Sequence, residues 1–297
     1  MILKPFQMSA KLKYYFALNN RATFTNKQNT DYYTQLYGYN GEKNFYQRIK
    51  KFDQIVLLHD LTLTSKYKGQ AQYDYIIIHS GRVVHIDVKN FKGTYRQVDD
   101  NFVSSYKKIK NPMGQLSVAH DILENTLSEM AHTVQSKLLF INENFCFRGN
   151  TDIDQWVFLS ELDQYLEQFK ALNHLYDIDL EIGRYLLSKH DDSENQYPPI
   201  KVPFEKVMAG MKCPKCLNYI SQEKQKIDFN CKCGYQCKNE ALIKHNIDEL
   251  MILFEGPVTI QQVYTWCQTV SLSTIKRVLW KYYKKIGQNR GSKYYFK

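Results

Sequence analysis

Two carboxylates and a lysine stand close together in an otherwise apolar stretch, Gln72 to Gly93, which reads QYDYIIIHSGRVVHIDVKNFKG. Tyr75–Ile78 and Val83–Val88 are rich in β-branched residues and flank Ser80-Gly81, the pattern of a hairpin. A tight turn centred on those two residues sets Asp74 opposite Asp87. Directly opposed Cβ atoms lie about 4.5–5.5 Å apart. The two acids can then hold one divalent cation, and without it they clash. Side chains alternate along a strand, so Lys89 projects on the same face as Asp87, one step further on. Two acids and a lysine on one face of an apolar sheet suit metal-assisted phosphodiester hydrolysis. A D-x-K triplet alone says little, because exposed strands often alternate Asp and Lys. Here Ile76, Ile77, Ile78, Val83, Val84, Ile86 and Val88 imply strands covered on both faces, where charges seldom stand without partners.

A second chemistry lies in the cysteines. Of seven, five fall between Cys213 and Cys237. CPKC (Cys213, Cys216) and CKC (Cys231, Cys233) form two ligand pairs spaced as in a zinc ribbon, with Cys237 as an alternate to Cys231 or Cys233. Four thiolates leave no open position, so the expected Zn²⁺ is structural. Nothing approaches a membrane span or a signal-peptide apolar region, which makes the cytoplasm the default and favours metal over disulfides.

Charge supplies the third signal. The net charge is +10, yet no acid follows Glu255. Lys276, Arg277, Lys281, Lys284, Lys285, Arg290, Lys293 and Lys297 place +8 in that last segment and leave +2 for everything before it. Tyr282, Tyr283, Tyr294, Tyr295 and Phe296 are too aromatic for a disordered tail. A basic terminal module on a nearly neutral body points to nucleic acid.

These residues need elements to place them. Short helices are expected around Lys11–Leu18 and Asp31–Leu36, then a helix capped by Asn40 that buries Phe45, Ile49 and Phe52. Glu42 falls on that buried stripe. Ile55–Leu58 reads as a strand, Leu61–Lys68 as a loop or short strand, and Tyr95–Tyr106 as a further strand pair. Asn111 suits an N-cap and Pro112 the first position of a helix bearing Leu116, Ala119, Leu123, Leu127 and Met130. Gln115 stands at its N-terminal end, where backbone N–H groups favour phosphate. Strands at Leu138–Ile141 and Trp156–Leu159 and helical pattern to Leu187 complete an α/β sandwich with the hairpin central. His190–Pro203 is the clearest linker. Beyond the cysteines come three helices: one on Ile243, Ile247, Leu250, Met251 and Phe254, one opened by a Thr259/Gln262 capping box, and one capped by Ser271 or Ser273. A hairpin over GQNRGSKYYF ends the chain. The third helix leaves Ser273, Thr274, Lys276, Arg277 and Lys281 exposed; with Arg290 and Lys293 these are the candidate nucleic-acid contacts. The arrangement resembles a winged helix-turn-helix with the third helix as reader.

Gly38, Tyr39, Gly41 and Glu42, then AQYDYIII, IDVKNFKG and NPMGQ, follow in the order of the nuclease-related domain (NERD), a branch of the PD-(D/E)xK nucleases that the chain resembles over roughly residues 1–190; the opening ILKP also resembles its bacterial members. The resemblance implies a restriction-endonuclease-like mixed sheet flanked by helices, with Glu42, Asp74, Asp87, Lys89 and Gln115 on active-site positions and Mg²⁺ (or Mn²⁺) held by Asp74 and Asp87. It implies hydrolysis that leaves a 5′-phosphate. Position 87 is more often Glu in the family, and Asp shortens the reach to metal. The expected organisation is a helical extension (1–36), a nuclease-like domain (37–190), a linker (191–205), a zinc ribbon (206–238) and a winged-helix-like module (239–297). The function expected is metal-dependent cleavage of DNA, double-stranded, with no membrane partner and room for an oligomer. A non-catalytic DNA-binding protein with a silent nuclease fold, or an RNA-directed nuclease, are the alternatives.

Overall fold

The computed structural model describes residues 1–130, 133–170, 174–192, 198–220, 228–288 and 291–297. It divides into two units, Met1–Gln7 with Thr34–Glu194, and Met8–Tyr33 with Asn195–Lys297. In chain order the elements begin β1 (Ile2–Lys4), α1 (Ala10–Leu18), α2 (Asn26–Ile49), β2 (Val56–Ser65), β3 (Gly69–His79) and β4 (Arg82–Lys89). β5 (Gly93–Val98), β6 (Asn101–Val103), β7 (Lys108–Lys110), α3 (Met113–Thr126), β8 (Thr133–Phe140), β9 (Phe145–Arg148), β10 (Trp156–Phe158), α4 (Leu162–Lys170) and α5 (Asp177–Ser188) follow.

In the first unit β1-β2-β3-β4-β8-β10 form one mixed sheet, with the β3–β4 hairpin at its centre. Ser80 and Gly81 both take positive φ (49° and 71°), the geometry of a two-residue I′-type turn. Their N–H groups donate to the buried carboxylate of Asp179 on α5 (3.0 and 2.8 Å), which fixes the turn. The ladder runs from His79 opposite Arg82 to Tyr75 opposite Ile86, in the register the turn dictates. One face packs Leu57, Tyr75, Ile77, Val84 and Ile86 with Phe45 and Ile49 of α2; the other packs Ile76, Ile78 and Val83 with α3 and α5. Both faces are covered, as the apolar runs require.

Strict alternation breaks at one place. Val56 and Leu58 share a cluster with Leu61 and Leu63, and across the ladder Ile76 and Ile78 share it with Tyr73. The facing side therefore changes phase between Leu58 and Leu61 on β2 and between Tyr73 and Ile76 on β3. Asp60, φ +55°, marks the change, between the pairs His59–Tyr75 and Leu61–Tyr73. Lys4 Nζ donates to its carbonyl.

Several expectations are corrected. Residues 1–36 are not a single helical extension: β1 joins the sheet edge parallel to β2, and Met8–Tyr33 belongs to the second unit. Asn40 caps nothing, because α2 starts at Asn26 behind a reciprocal Thr25/Gln28 cap and runs straight through it. Gly41 is helical there, and a Cβ on it would meet Asn90 Cβ at 2.8 Å, so glycine allows β4's end to approach the helix. β2 continues to Ser65 where a loop or short strand was expected. Beyond β4, the strand pair grows to four strands, β7-β6-β5-β9, with β9 parallel to β5.

In the second unit come β11 (Asp228–Asn230), β12 (Gln236–Lys238), α6 (Asn239–Phe254), β13 (Val258–Thr259), α7 (Ile260–Cys267), α8 (Leu272–Tyr282), β14 (Tyr283–Ile286) and β15 (Lys293–Phe296). α7 opens with the Thr259/Gln262 capping box and α8 with Ser271. β13, β15 and β14 form a small sheet in that order. Phe254, expected on the buried stripe of α6, is exposed. Within the expected linker, residues 193–197 lie outside the described residues, and Ile200 and Val202 are tied down by Tyr15, Gln28 and Tyr14. Arg21, fully buried, donates to Glu249 from Nε and Nη2 (3.1 and 2.8 Å) and lies 4.1 Å over the Trp266 ring.

Candidate active site

β3 and β4 bring the predicted acids and lysine together. Lys89 Nζ lies 2.8 Å from Asp87 Oδ1, and both side chains are largely buried. The Val88 N–H donates to Asp74 Oδ2 at 2.7 Å, locking the Asp74 carboxylate against the end of β4. Burial pushes the Asp74 carboxyl well above its usual range, and the neighbouring Glu42 and Asp87 push it further. Burial pulls the Lys89 ammonium down, but Asp87, Asp74 and Glu42 outweigh it and hold it above its ordinary value. Three acids thus share one cation.

Glu42 reaches the group from α2 and is held by residues that sequence reasoning missed. His59 on β2 places Nε2 2.9 Å from Glu42 Oε2, and the Tyr75 hydroxyl donates to the Glu42 carbonyl at 2.9 Å. His59 is itself buried against Phe6 and Tyr75. Its only sequence signal was a histidine inside an apolar strand. Gln115 is not joined to the group: it lies exposed in the first turn of α3, with no hydrogen bond to the acids or the lysine. Asn111 Oδ1 does accept from the Met113 N–H at 3.0 Å, as an N-terminal cap should.

Residues 37–141 match the nuclease-related domain, NERD. The matched span contains Glu42, Asp74, Asp87, Lys89 and Gln115, and the mixed sheet with flanking helices agrees with a nuclease-like fold. No curated protein and no solved structure matches.

The donor set fits a hard divalent ion of low protein-ligand demand. Asp74 Oδ1 and Asp87 Oδ2 remain beyond the two oxygens already engaged. Mg²⁺ typically takes one or two carboxylates and fills its other positions with water and substrate phosphate. A closed three-acid cage is not formed: among the described residues only Cys213, Cys216, Cys231 and Cys233 bring three or more ligand atoms within 4.8 Å of one another. In that group Cys213 and Cys233, and Cys216 and Cys231, have Sγ atoms 3.7 Å apart. A tetrahedral ion with about 2.3 Å bonds to sulfur requires sulfur separations of about 3.8 Å. Disulfides would need about 2.0 Å. Burial pushes the Cys213 thiol up to about 12, whereas the Tyr235 N–H draws Cys233 down to about 7. Cys237, the expected alternate, stands outside the cluster on β12.

The basic residues of the second unit are separated by their surroundings. Ser273, Lys276 and Arg277 are exposed on α8, and Lys293 on β15. Thr274 is engaged by the Ser271 cap. Lys281 is paired with Glu240 at 2.6 Å, and Arg290 lies outside the described residues. Trp280, four positions after Lys276, is 68% exposed and was not anticipated. Among the described residues no helix is long and apolar enough to cross a membrane.

Proposed function

We propose that the chain is a divalent-metal-dependent DNA phosphodiesterase whose reacting groups are Asp74, Asp87 and Lys89. The observation that carries this reading is the Lys89–Asp87 contact beside a half-buried, acid-crowded Asp74, inside the span that matches a nuclease-related domain. Mg²⁺ or Mn²⁺, when bound by Asp74 and Asp87, supplies charge neutralisation at phosphate and a more acidic water. Asp74 is preset by the Val88 N–H, so its carboxylate needs no reorientation on binding. Lys89 holds Asp87 in place and keeps a fixed positive charge beside the phosphate as negative charge grows on its oxygens. Glu42, clamped by His59 and Tyr75, keeps the acid excess from dispersing. Hydrolysis forms a water-oxygen bond to phosphorus, breaks the bond to the 3′-oxygen, and leaves a 5′-phosphate.

For the second unit, the order α6-β13-α7-α8-β14-β15 and the sheet β13-β15-β14 support a winged helix-turn-helix with α8 as DNA reader. The cysteine cluster supports a structural Zn²⁺. A silent nuclease fold is favoured by one observation, the lack among the described residues of a third converging acid ligand.

The deciding experiment incubates untagged protein with circular and linear DNA and with RNA, in Mg²⁺, Mn²⁺ or EDTA. Metal-dependent cleavage of DNA is expected. Binding without cleavage under every metal would establish the silent fold, and preference for RNA would redirect the substrate assignment. Elemental analysis should find about one zinc per chain, as one Cys₄ site holds one ion; no zinc at all overturns that site.

A further inference from the structure

Four residues after Lys89 the chain enters the small sheet β7-β6-β5-β9. Its inner face carries Tyr95, Phe102, Ile109, Phe145 and Phe147, packed into one cluster. Alternation turns Arg96, Lys108, Lys110 and Arg148 to the opposite face, and all four are exposed. The register lines up three of them. Arg148 faces Arg96, Arg96 faces Val103, and Val103 faces Lys108. Lys110 sits in the next row, opposite Asn101. No acid pairs with any of the four among the described residues. Asp99 and Asp100, the acids nearest β5 in sequence, lie in the β5–β6 turn, outside the strands.

A solvated basic face is the ordinary explanation of exposed lysines and arginines. It does not explain the alignment. Like charges directly opposed across a ladder are destabilising, so Arg96 over Arg148 works against the fold and calls for an anion. Strands lie about 4.8 Å apart, so the row from Arg148 to Lys108 extends about 14 Å. That is too long for one phosphate and suits a polyanion, such as a duplex with a charge about every 1.7 Å of its axis.

We propose that this face binds nucleic-acid backbone and holds the phosphates flanking the segment that reaches Asp74, Asp87 and Lys89. The identity of the polyanion rests on the nuclease reading above, whereas the row of cations does not. Arginine and lysine side chains in this row, with Asn101 beside Lys110, grip phosphates without reading bases, so binding here is independent of sequence.

The test uses the full chain in EDTA, so that binding is read apart from cleavage. Wild type, Arg96→Ser/Arg148→Ser and Lys108→Ser/Lys110→Ser are titrated with two short duplexes of unrelated sequence across a salt series. Phosphatidylserine vesicles and inorganic phosphate serve as comparison probes. Each double variant should lose about tenfold in affinity on both duplexes. Its slope of log affinity against log salt should flatten by about 1.8, from two contacts of about 0.9 each. The melting temperature of Arg96→Ser/Arg148→Ser should be equal to or above that of wild type, because a like-charge contact is removed. Unchanged affinity and slope in both variants overturn the surface. Loss of vesicle binding with DNA binding intact overturns its assignment to nucleic acid. If binding falls as expected while no metal supports cleavage, the surface stands and the catalytic reading fails.

Discussion

Around Lys89, three carboxylates (Glu42, Asp74 and Asp87) crowd one ammonium, and among the described residues the further partners are the His59 ring at Glu42 and the Val88 N–H at Asp74. Around Glu249 in the other unit the imbalance has the opposite sign: Arg21 at 2.8 Å and Lys212 at 3.2 Å share one carboxylate. There the surplus is absorbed. Lys212 Nζ also donates to the carbonyls of Phe16, Ala17 and Asn19 at the C-terminal end of α1 (3.1, 2.9 and 2.7 Å), where the helix dipole is negative. Arg21 finishes on the Met208 carbonyl, Asn246 and the Trp266 ring. A buried charge cluster closed by its own backbone serves the fold. One left open suits a ligand, and under the proposed function the surplus negative charge is what a divalent cation would meet.

The largest effect should come from the open cluster. Asp87→Asn and Lys89→Ala should each lower metal-dependent cleavage by about 10³-fold or more, several kcal/mol of transition-state stabilisation, with circular dichroism unchanged. Equal cleavage by wild type and both variants would place the chemistry elsewhere. Next, Glu249→Ala strands two buried cations and should cost about 3–5 kcal/mol in denaturant unfolding. A loss below about 1 kcal/mol would break the contrast, because the closed cluster would then not be structural.

The smallest effect should be opposite in sign in the two units. Asp74→Asn keeps an oxygen for the Val88 N–H and removes a crowding charge, so metal-free protein should gain about 1 kcal/mol. Acid should act likewise. Asp74 is raised in the folded state, so its contribution is complete below its ordinary value and is lost as pH rises through the raised one. Glu249 is lowered; burial works against this, but His245, Lys212 and Arg21 prevail. Its contribution is present above its ordinary value and is lost as pH falls through the lowered one. Protection from hydrogen exchange in EDTA, corrected for the intrinsic rate at each pH, should therefore rise around β3 and β4 as pH falls from neutral towards the ordinary carboxylate range, and fall around α6 only once pH drops below that range. Parallel changes in both units would refute the opposed balance.

What the sequence made legible was set by local spacing. Ser80-Gly81 determined the hairpin register, and the two-residue step put Lys89 beside Asp87. Short turns converged Cys213, Cys216, Cys231 and Cys233, and capping residues announced α7 and α8. What stayed hidden depends on partners distant in sequence. His59 gains its role only by lying within reach of Glu42, 17 positions earlier. The pairing of β9 with β5, which aligns Arg148 with Arg96, needs a parallel crossover that no turn signal marks. Arg21 reveals itself only against Glu249, 228 positions away. Gly38 and Gly41 look like breaks in a helix that passes through both.

The change of phase at Asp60 has a consequence for folding fidelity. A regularly alternating pair of strands is nearly degenerate: a slip of two residues returns every apolar side chain to its own face. With the phase broken at one level on both β2 and β3, such a slip separates the two breaks and turns Leu61 and Leu63, or Ile76 and Ile78, towards the wrong layer. Only one alignment satisfies both halves, so the pairing proofreads itself. Asp60 holds that break with a left-handed backbone, which Asn or Gly tolerates and a β-branched residue resists. Asp60→Val should therefore refold with misaligned, aggregation-prone species, while Asp60→Gly refolds cleanly.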